Sequence, residues 1–342
     1  MKPELLLTKA WQHNAPWLTV LRPLSCLYGA VGHLRKNAYA SGKREVYRAP
    51  VAVLVIGNIT VGGSGKTPLI IALVDYLHTL GIAVGVISRG YGGDSKQMPC
   101  LVTKDSLPTL VGDEPCLIVQ ATNAPMAVSP VRKSAIQLLL QHYPNLQLII
   151  SDDGLQHYAL ARDAEWIVVD AMRGFGNERL LPEGFLREPL SRLNHATVLH
   201  HYANAQEYND SALAMYLQAD KPINLLDNTQ VLAPQSVYGL TGIGYPPRFF
   251  ASLEALGFAV KARPKPDHHR FSYEDIATLS DLPVVVTAKD AVKLQALFQQ
   301  HKHSDNGVFA NVWVLPVRMQ LSAGIYALMQ DFLHKFVYKG TP

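Results

Sequence analysis

Cysteine is scarce in this chain of 342 residues: Cys26, Cys100 and Cys116 stand far apart, with no CxxC pair and no Cys/His spacing suited to zinc. Neither a disulfide framework nor a structural metal follows, and a reducing cytosol fits best. Charge is sparse as well, at 17% against 48% apolar residues. At this length that balance excludes a disordered or fibrous protein and leaves apolar material for a sizeable core and about two domains. Glycine and proline keep ordinary usage and aromatic residues make up 8%, so no low-complexity architecture is indicated.

Long hydrophobic runs are missing too. Residues 5–34 are apolar but interrupted: Leu5, Leu6, Leu7, Trp11, Trp17, Leu18, Leu21, Leu24, Leu27 and Val31 stand among His13, Asn14, Arg22, Ser25 and His33. The longest uncharged stretch is about a dozen residues, short of the roughly 20 that a membrane-crossing helix needs, and no small-residue cleavage site follows a compact apolar region. The segment is therefore expected neither to span a bilayer nor to act as a signal peptide. Residues 1–50 hold eight basic side chains (Lys2, Lys9, Arg22, Arg35, Lys36, Lys43, Arg44, Arg48) against Glu4 and Glu45, a net of +6. The other 292 residues then carry −2 of the formal +4. A nucleic-acid binder would carry basic charge on its folded body, so nucleic acid is not an expected partner. Two readings stay open for the arm: an interfacial element with Trp and Leu in the headgroup region and Arg and Lys facing anionic lipid, or helices packed on the protein's own core.

From residue 51 the pattern changes. Residues 51–56 form a continuous, largely β-branched run, as expected of a central parallel strand buried on both faces. Next come Thr60-Val61-Gly62-Gly63-Ser64-Gly65-Lys66-Thr67, then Pro68 and helical apolar spacing through Leu69, Ile70, Leu73, Val74, Leu77 and Leu80, closed by Gly81. Strand, glycine loop and helix in that order make a phosphate cradle. Glycines let backbone N–H groups turn toward phosphate, the helix N-terminus adds partial positive charge, Lys66 reaches the outer phosphates and Thr67 offers a hydroxyl to Mg²⁺. Thr60 stands where the strict GxxxxGK[ST] pattern has glycine, so this is a GGxGKT variant.

A phosphate loop needs an acidic strand end beside its metal. Residues 146–150 are a second buried-strand pattern ending in Ser151-Asp152-Asp153-Gly154, and carboxylates at the C-terminal edge of a parallel sheet lie next to the loop. Strand patterns near 82–88, 117–120, 166–170 and 196–201, with helical patterns near 69–80 and 131–142, predict a doubly wound α/β fold. In Gly112-Asp113-Glu114-Pro115 two adjacent carboxylates precede a proline; by bare chemistry they are equally a helix start or a catalytic acid/base. Pro266-Asp267-His268-His269-Arg270-Phe271 packs acid, base and cation into one loop, with no third ligand at metal spacing.

Taken together these pieces resemble the tetraacyldisaccharide 4′-kinase family of lipid A biosynthesis. The matching stretches are GNITVGGSGKTP at 57–68, SRGYGG at 88–93, GDEP at 112–115, DDGLQH at 152–157, LPEGFLREP at 181–189, LTGIGYP at 240–246, PDHHRF at 266–271 and TAKDAVK at 287–293. Thr60 is what that family's loop looks like. Leu155 stands where an aromatic is common, which is a packing change; Ala288 stands where Glu is common, which removes a polar group from that position.

The resemblance implies a P-loop NTPase-like, mostly parallel doubly wound sheet with a smaller C-terminal α/β lobe, divided into an arm at 1–36, a kinase core at 37–228 and the second lobe at 229–342. It implies an enzyme using ATP and Mg²⁺ that transfers the γ-phosphate to the 4′-hydroxyl of an acylated glucosamine disaccharide 1-phosphate, forming lipid IVA at the cytoplasmic face of the inner membrane, with no obligate protein partner. Residue by residue, it puts Lys66 on the phosphate, Thr67, Asp152 and Asp153 on magnesium, and Asp113 in the place of a general base paired with His268. Glu114, Gln156, His157 and Glu188 match positions near the site, and Arg89 and Tyr91 suit substrate contact.

The chemistry agrees with that assignment. Phosphoryl transfer is mostly positioning and charge stabilisation, so one carboxylate ready to take the hydroxyl proton late in the reaction is sufficient. An acylated substrate stays in its bilayer, which gives the basic apolar arm a reason. The competing class is a GGxGKT switch protein that hydrolyses nucleotide to move a partner. Such a protein needs no PDHHRF partner for GDEP, and Val61 occupies the place of its usual lysine. A nucleotide-binding module without catalysis would not need the full set of acidic groups. Guanine readout is not expected, because Lys289 and Asp290 are adjacent where an NKxD reader needs a residue between them.

Overall fold

The computed structural model describes residues 7, 10–11, 13–208, 212–301 and 307–338; Lys2, Glu4, Leu5, Leu6 and Lys9 of the arm lie outside them. Strand β1 (Ala52–Gly57) is buried along its whole length. Its side chains alternate between two cores, Leu54 and Ile56 on one face of the sheet and Val53 and Val55 on the other. The large sheet is completed by β2 (Val84–Ser88), β3 (Cys100–Val102), β4 (Met126–Val128), β5 (Leu148–Asp152), β6 (Ala164–Asp170), β7 (Thr197–Tyr202), β8 (Ala214–Ala219) and, late in the chain, β14 (Val317–Leu321). Their order is β14-β8-β7-β6-β1-β5-β2-β4-β3. All neighbours are parallel except the two edges, β14 on β8 and β3 on β4. This is the doubly wound, mostly parallel sheet expected.

Helix α2 (Lys66–Thr79) follows β1 and buries Leu69, Ile70, Leu73, Val74 and Leu77, while α4 (Arg132–His142) buries Ala135, Ile136 and Leu139 on the opposite face. Register places Ile56 of β1 beside Asp152 of β5, and Asp170 of β6 beside His201 of β7. The phosphate loop therefore leaves the sheet next to the Asp152-Asp153 pair and two strands from His201.

Residues 117–120 are helical rather than a strand. They belong to α3 (Asp113–Thr122), which starts at Gly112 with Asp113 and Glu114 in its first turn. Those carboxylates favour a helix N-terminus, and Pro115 lies in the first turn, where its missing N–H has no partner to lose. The apolar Leu-Ile-Val run buries Ile118 and Val119 and half-buries Leu117, and a run that short carries no period to tell helix from strand.

The smaller sheet has the order β11-β10-β12-β13-β9, built from β9 (Ile223–Asn224), β10 (Ser236–Thr241), β11 (Ala259–Pro264), β12 (Val284–Thr287) and β13 (Val312–Leu315). Helices α5 (Pro246–Ala255) and α6 (Ala288–His301) pack on its two faces. The expected division at residue 229 differs from this arrangement at both ends. Residues 223–224 already pair in the small sheet, and after β13 the chain returns to the large one through β14 and α7 (Ala323–Phe336). The return is driven by burial, since Ile325, Met329, Phe332 and Leu333 of α7 join the core beside α2.

Part of the arm packs on the protein's own core and part of it stays exposed. Trp11 and Leu18 are buried with Phe185, and Trp11 Nε1 donates to the Pro182 carbonyl at 3.0 Å. Helix α1 (Arg22–Ala40) is held by Arg22 on Glu183 (2.9 Å) and by Ser25 Oγ, which donates to the Leu180 carbonyl at 3.0 Å. Its far face stays exposed, with Leu24, Leu27, Val31 and Leu34 between 54% and 68% accessible in one stripe. Among the described residues, no helix is long and apolar enough to cross a membrane. The three cysteines are free thiols.

Candidate active site

Residues 58–65 turn β1 into α2. Gly62 and Gly65 have φ of 97° and 93°, and a Cβ on Gly65 would lie 2.5 Å from His201 Nδ1, so the loop rests directly on the histidine ring. From behind, Val61 N–H donates to the Phe185 carbonyl (2.8 Å), Arg187 N–H to the Ile59 carbonyl (2.6 Å), and Arg173 Nη1 to the Val61 carbonyl (2.5 Å). Thr60 bridges to Leu186. The LPEGFLREP stretch thus buttresses the phosphate loop. Leu155 also serves the loop, with its side chain filling the space under Gly57.

Lys66 Nζ donates to Asn58 Oδ1 at 3.0 Å and lies 3.4 Å from Asp153 Oδ1. Thr67 is the second residue of α2, beside it, and a Cβ on Gly63 would meet nothing within 4 Å. Ser64 Oγ is buried without a hydrogen-bond partner among the described residues, while the Ser64 carbonyl lies 2.9 Å from His201 Nδ1. Burial and the nearby Arg248 charge push His201 down to about 4. The ring is therefore neutral, and the Ser64 carbonyl requires its one proton on Nδ1. Arg248, 3.0 Å from the same nitrogen, finds its acceptor in Asp170 Oδ1 at 2.8 Å.

Asp152 is buried at the end of β5; Ser88 Oγ donates to its Oδ2 at 3.4 Å, and Oδ1 has no partner among the described residues. Burial, then the charges of Glu114 and Asp153, raise its carboxyl to about 7. Burial acts the same way on Asp153, but Lys66 and Arg187, the latter at 2.9 Å, hold it far below the usual carboxylate range. No cluster of three His, Cys, Asp or Glu side chains converges as a metal cage among the described residues. A magnesium site of another kind fits. The Thr67 hydroxyl and the Asp152 and Asp153 carboxylates are hard oxygen donors, and the orphaned Oδ1 of Asp152 is one that a cation would satisfy.

Facing this loop is a pair from the two lobes. His268 Nδ1 lies 3.2 Å from Asp113 Oδ2, and Lys293 Nζ lies 3.2 Å from the same oxygen. Burial raises the Asp113 carboxyl, but the His268 hydrogen bond and the charges of Lys293 and Lys289 outweigh it and hold the group below its ordinary value. Glu114 behaves likewise through Lys289, whose Nζ donates to it at 3.0 Å. Tyr91 sets its ring edge-on to His268, centroids 4.9 Å apart. Gly244 lies against Gly63, which brings the LTGIGYP loop onto the phosphate loop.

Lys66, Asp152, Asp153, Glu114, Asp113, His268 and Tyr91 are thus brought to one cleft. Gln156, His157 and Glu188 form a second layer behind it. Gln156 Nε2 donates to Glu188 Oε1 at 2.8 Å, and Arg192 lies 3.2 Å from Glu188. Burial, then Arg132, Arg162, Arg35 and Arg89, push His157 down to about 4. Arg89 is exposed and enters the site as charge. Sequence reasoning missed Lys289 and Lys293 as site residues. Their four-residue spacing on one helix face was the available signal, inside a stretch already singled out.

The glycine loop on a parallel sheet, with a carboxylate and histidine meeting opposite it from two lobes, is the design of a P-loop phosphotransferase. The family model for tetraacyldisaccharide-1-P 4′-kinase (LpxK) matches residues 17–334. Tetraacyldisaccharide 4′-kinase of Psychrobacter cryohalolentis is 52% identical over 360 residues, covering 97% of each chain, and that of Psychrobacter arcticus is 50% identical over 368 residues, covering 97% of this chain and 96% of that one. The crystal structure of LpxK from Aquifex aeolicus in complex with ATP superimposes with a TM-score of 0.70 at 25% identity, over 94% of this chain and 100% of that one. The chain belongs to the tetraacyldisaccharide-1-phosphate 4′-kinase family.

Proposed function

We propose that this chain transfers the γ-phosphate of ATP to the 4′-hydroxyl of tetraacyldisaccharide 1-phosphate while attached peripherally to an anionic membrane surface, the cytoplasmic face of the inner membrane. The observation that carries the reading is the Asp113–His268 contact, which sets a base from one lobe and its partner from the other opposite Lys66. Asp113, ionised and fixed, receives the hydroxyl proton as the new phosphate ester forms; His268 orients it. Lys66 exchanges Asn58 and Asp153 for phosphate oxygens, and the N–H groups of residues 62–67 surround those oxygens. Thr67, Asp152 and Asp153 would hold Mg²⁺, which supplies charge neutralisation on the phosphates.

Support for the membrane surface comes from α1. Its exposed apolar stripe lies on a helix pinned to the body at Arg22 and Ser25, close to the basic Arg35, Lys36, Lys43 and Arg44. The test is incubation with γ-labelled ATP, Mg²⁺ and the detergent-solubilised disaccharide 1-phosphate. Label on the lipid, lost in Asp113→Asn, is the expected result; label only as free phosphate would point to a nucleotide-hydrolysing switch instead.

A further inference from the structure

Asp113 carries two donors on a single oxygen, and only one of them is the histidine. Lys293 Nζ is as close to Oδ2 as His268 Nδ1 is, at 3.2 Å, and its side chain is almost wholly buried beside the Phe271 ring. A buried ammonium must be held by counter-charge. Here Asp290, one helical turn earlier on α6, supplies it, with Oδ1 at 3.2 Å. Asp290 is itself fully buried, and its Oδ2 accepts from Thr241 Oγ1 (2.7 Å), the Gly242 N–H (3.1 Å) and Thr287 Oγ1 (2.8 Å). The Gly242 carbonyl in turn accepts the His268 N–H at 3.0 Å. One buried carboxylate therefore anchors both donors of Asp113, Lys293 directly and His268 through the 241–242 turn.

We infer that Lys293 is a positioning residue for phosphoryl transfer, holding Asp113 ionised and in register as the proton acceptor without touching substrate. The inference rests on the reading of Asp113 as the base. In the transfer step a bond forms between the 4′-oxygen and the γ-phosphorus, the bond from that phosphorus to the bridging oxygen of ADP breaks, and the hydroxyl proton passes to Asp113. Lys293 neither gains nor loses a proton.

The groups facing Asp113 show that Lys293 acts on its charge state alongside His268. From the 266–271 loop comes His268, with Tyr91 against its ring and Asp267 Oδ1 accepting its backbone N–H. From α6 come Lys293 and Lys289, but Lys289 is engaged by Glu114 at 3.0 Å, with Asp267 at 3.9 Å. On α3 itself are Glu114 and the neutral thiol of Cys116, which burial and Asp113 push up to about 12. That leaves Lys293 as the cation in direct contact, and an opposite charge within about 4 Å lowers a carboxyl by roughly one to three units.

The test is the pH profile of kcat/KM and kcat on the full chain, with detergent-solubilised lipid and Mg-ATP. In Lys293→Met the base loses its cation and binds a proton more readily, so the acidic limb moves up by about one unit. kcat should fall by roughly tenfold or more, with KM for ATP little changed, and Lys293→Arg should restore the wild-type limb. Asp290→Asn makes the opposite change: it keeps an oxygen acceptor for Thr241, Gly242 and Thr287 but removes the charge competing for Lys293, so the limb moves down. That variant also carries the test if Lys293→Met fails to fold. An unmoved limb in both variants, with activity falling only in step with Tm, makes Lys293 a structural ion pair and overturns the inference. Asp113→Asn with near-full activity would instead overturn the base assignment itself.

Discussion

The phosphate loop and the cleft wall opposite it are built in contrary ways. The loop is a continuous run, residues 57–67, leaning on Phe185, Arg187, Arg173 and His201 of its own lobe, and its lysine is already paired with Asn58 and Asp153. The opposite wall joins Asp113 at the start of α3 to His268 in the 266–271 loop and Lys293 on α6, which are 155 and 180 residues further along in the other lobe. The first can hold phosphate as a property of one lobe. The second exists only where α3 and α6 meet, so nucleotide binding and transfer should be separable.

The largest effect expected from breaking that comparison is on the wall. Asp113→Asn, His268→Ala and the double variant should each lose activity on the order of 10²–10⁴ and by similar amounts, because groups acting as one unit are non-additive. ATP binding, measured by calorimetry, should survive all three. Losses that multiply in the double variant would mean independent roles.

Next is Lys66→Ala, which strikes the loop. Removing one electrostatic contributor to the transferring phosphate should cost on the order of 10²–10³ in rate, and here ATP affinity should fall as well. Near-full lipid kinase activity in this variant would show the site to be misplaced.

Smaller again is the contrast between Gly65→Ala and Gly63→Ala. The first forces a side chain onto the His201 ring at positive φ, and strain of this kind costs about 1–3 kcal/mol; the second meets nothing within 4 Å. A lower Tm and weaker ATP binding for Gly65→Ala alone is the expected calorimetric result.

The smallest effect on chemistry is expected in the arm. Replacing Leu24, Leu27 and Val31 together with Ser should abolish the salt-resistant part of binding to anionic vesicles, since 1 M salt shortens screening to about 3 Å and leaves insertion as the remaining force. Activity on detergent-solubilised lipid should persist. Trp11→Ser and Leu18→Ser, which disturb the packing on Phe185, should lower Tm instead. Vesicle sedimentation and thermal melts separate the two outcomes.

Local features were legible. The strand at 51–56, the glycine loop and the helix that follows declare themselves because each depends on neighbours a few residues away, as does the Asp152-Asp153 strand end. Residues 117–120 misled for the same local reason, a short apolar run without a period. The arm could not be divided from its composition, because Trp11 and Trp17 have the same chemistry and only packing buries one and exposes the other.

The order of residues by itself determined an α/β fold, its glycine loop and its acidic strand end, since backbone conformation and side-chain chemistry act over short distances; the pairing of Asp113 with His268 entered only through the family resemblance. Tertiary structure alone decided the rest: that α7 returns to the large sheet, that the LPEGFLREP stretch braces the loop, and that a lysine joins the histidine on Asp113. Those contacts depend on which apolar faces bury each other and which charges that burial forces together, and spacing along the chain decides neither.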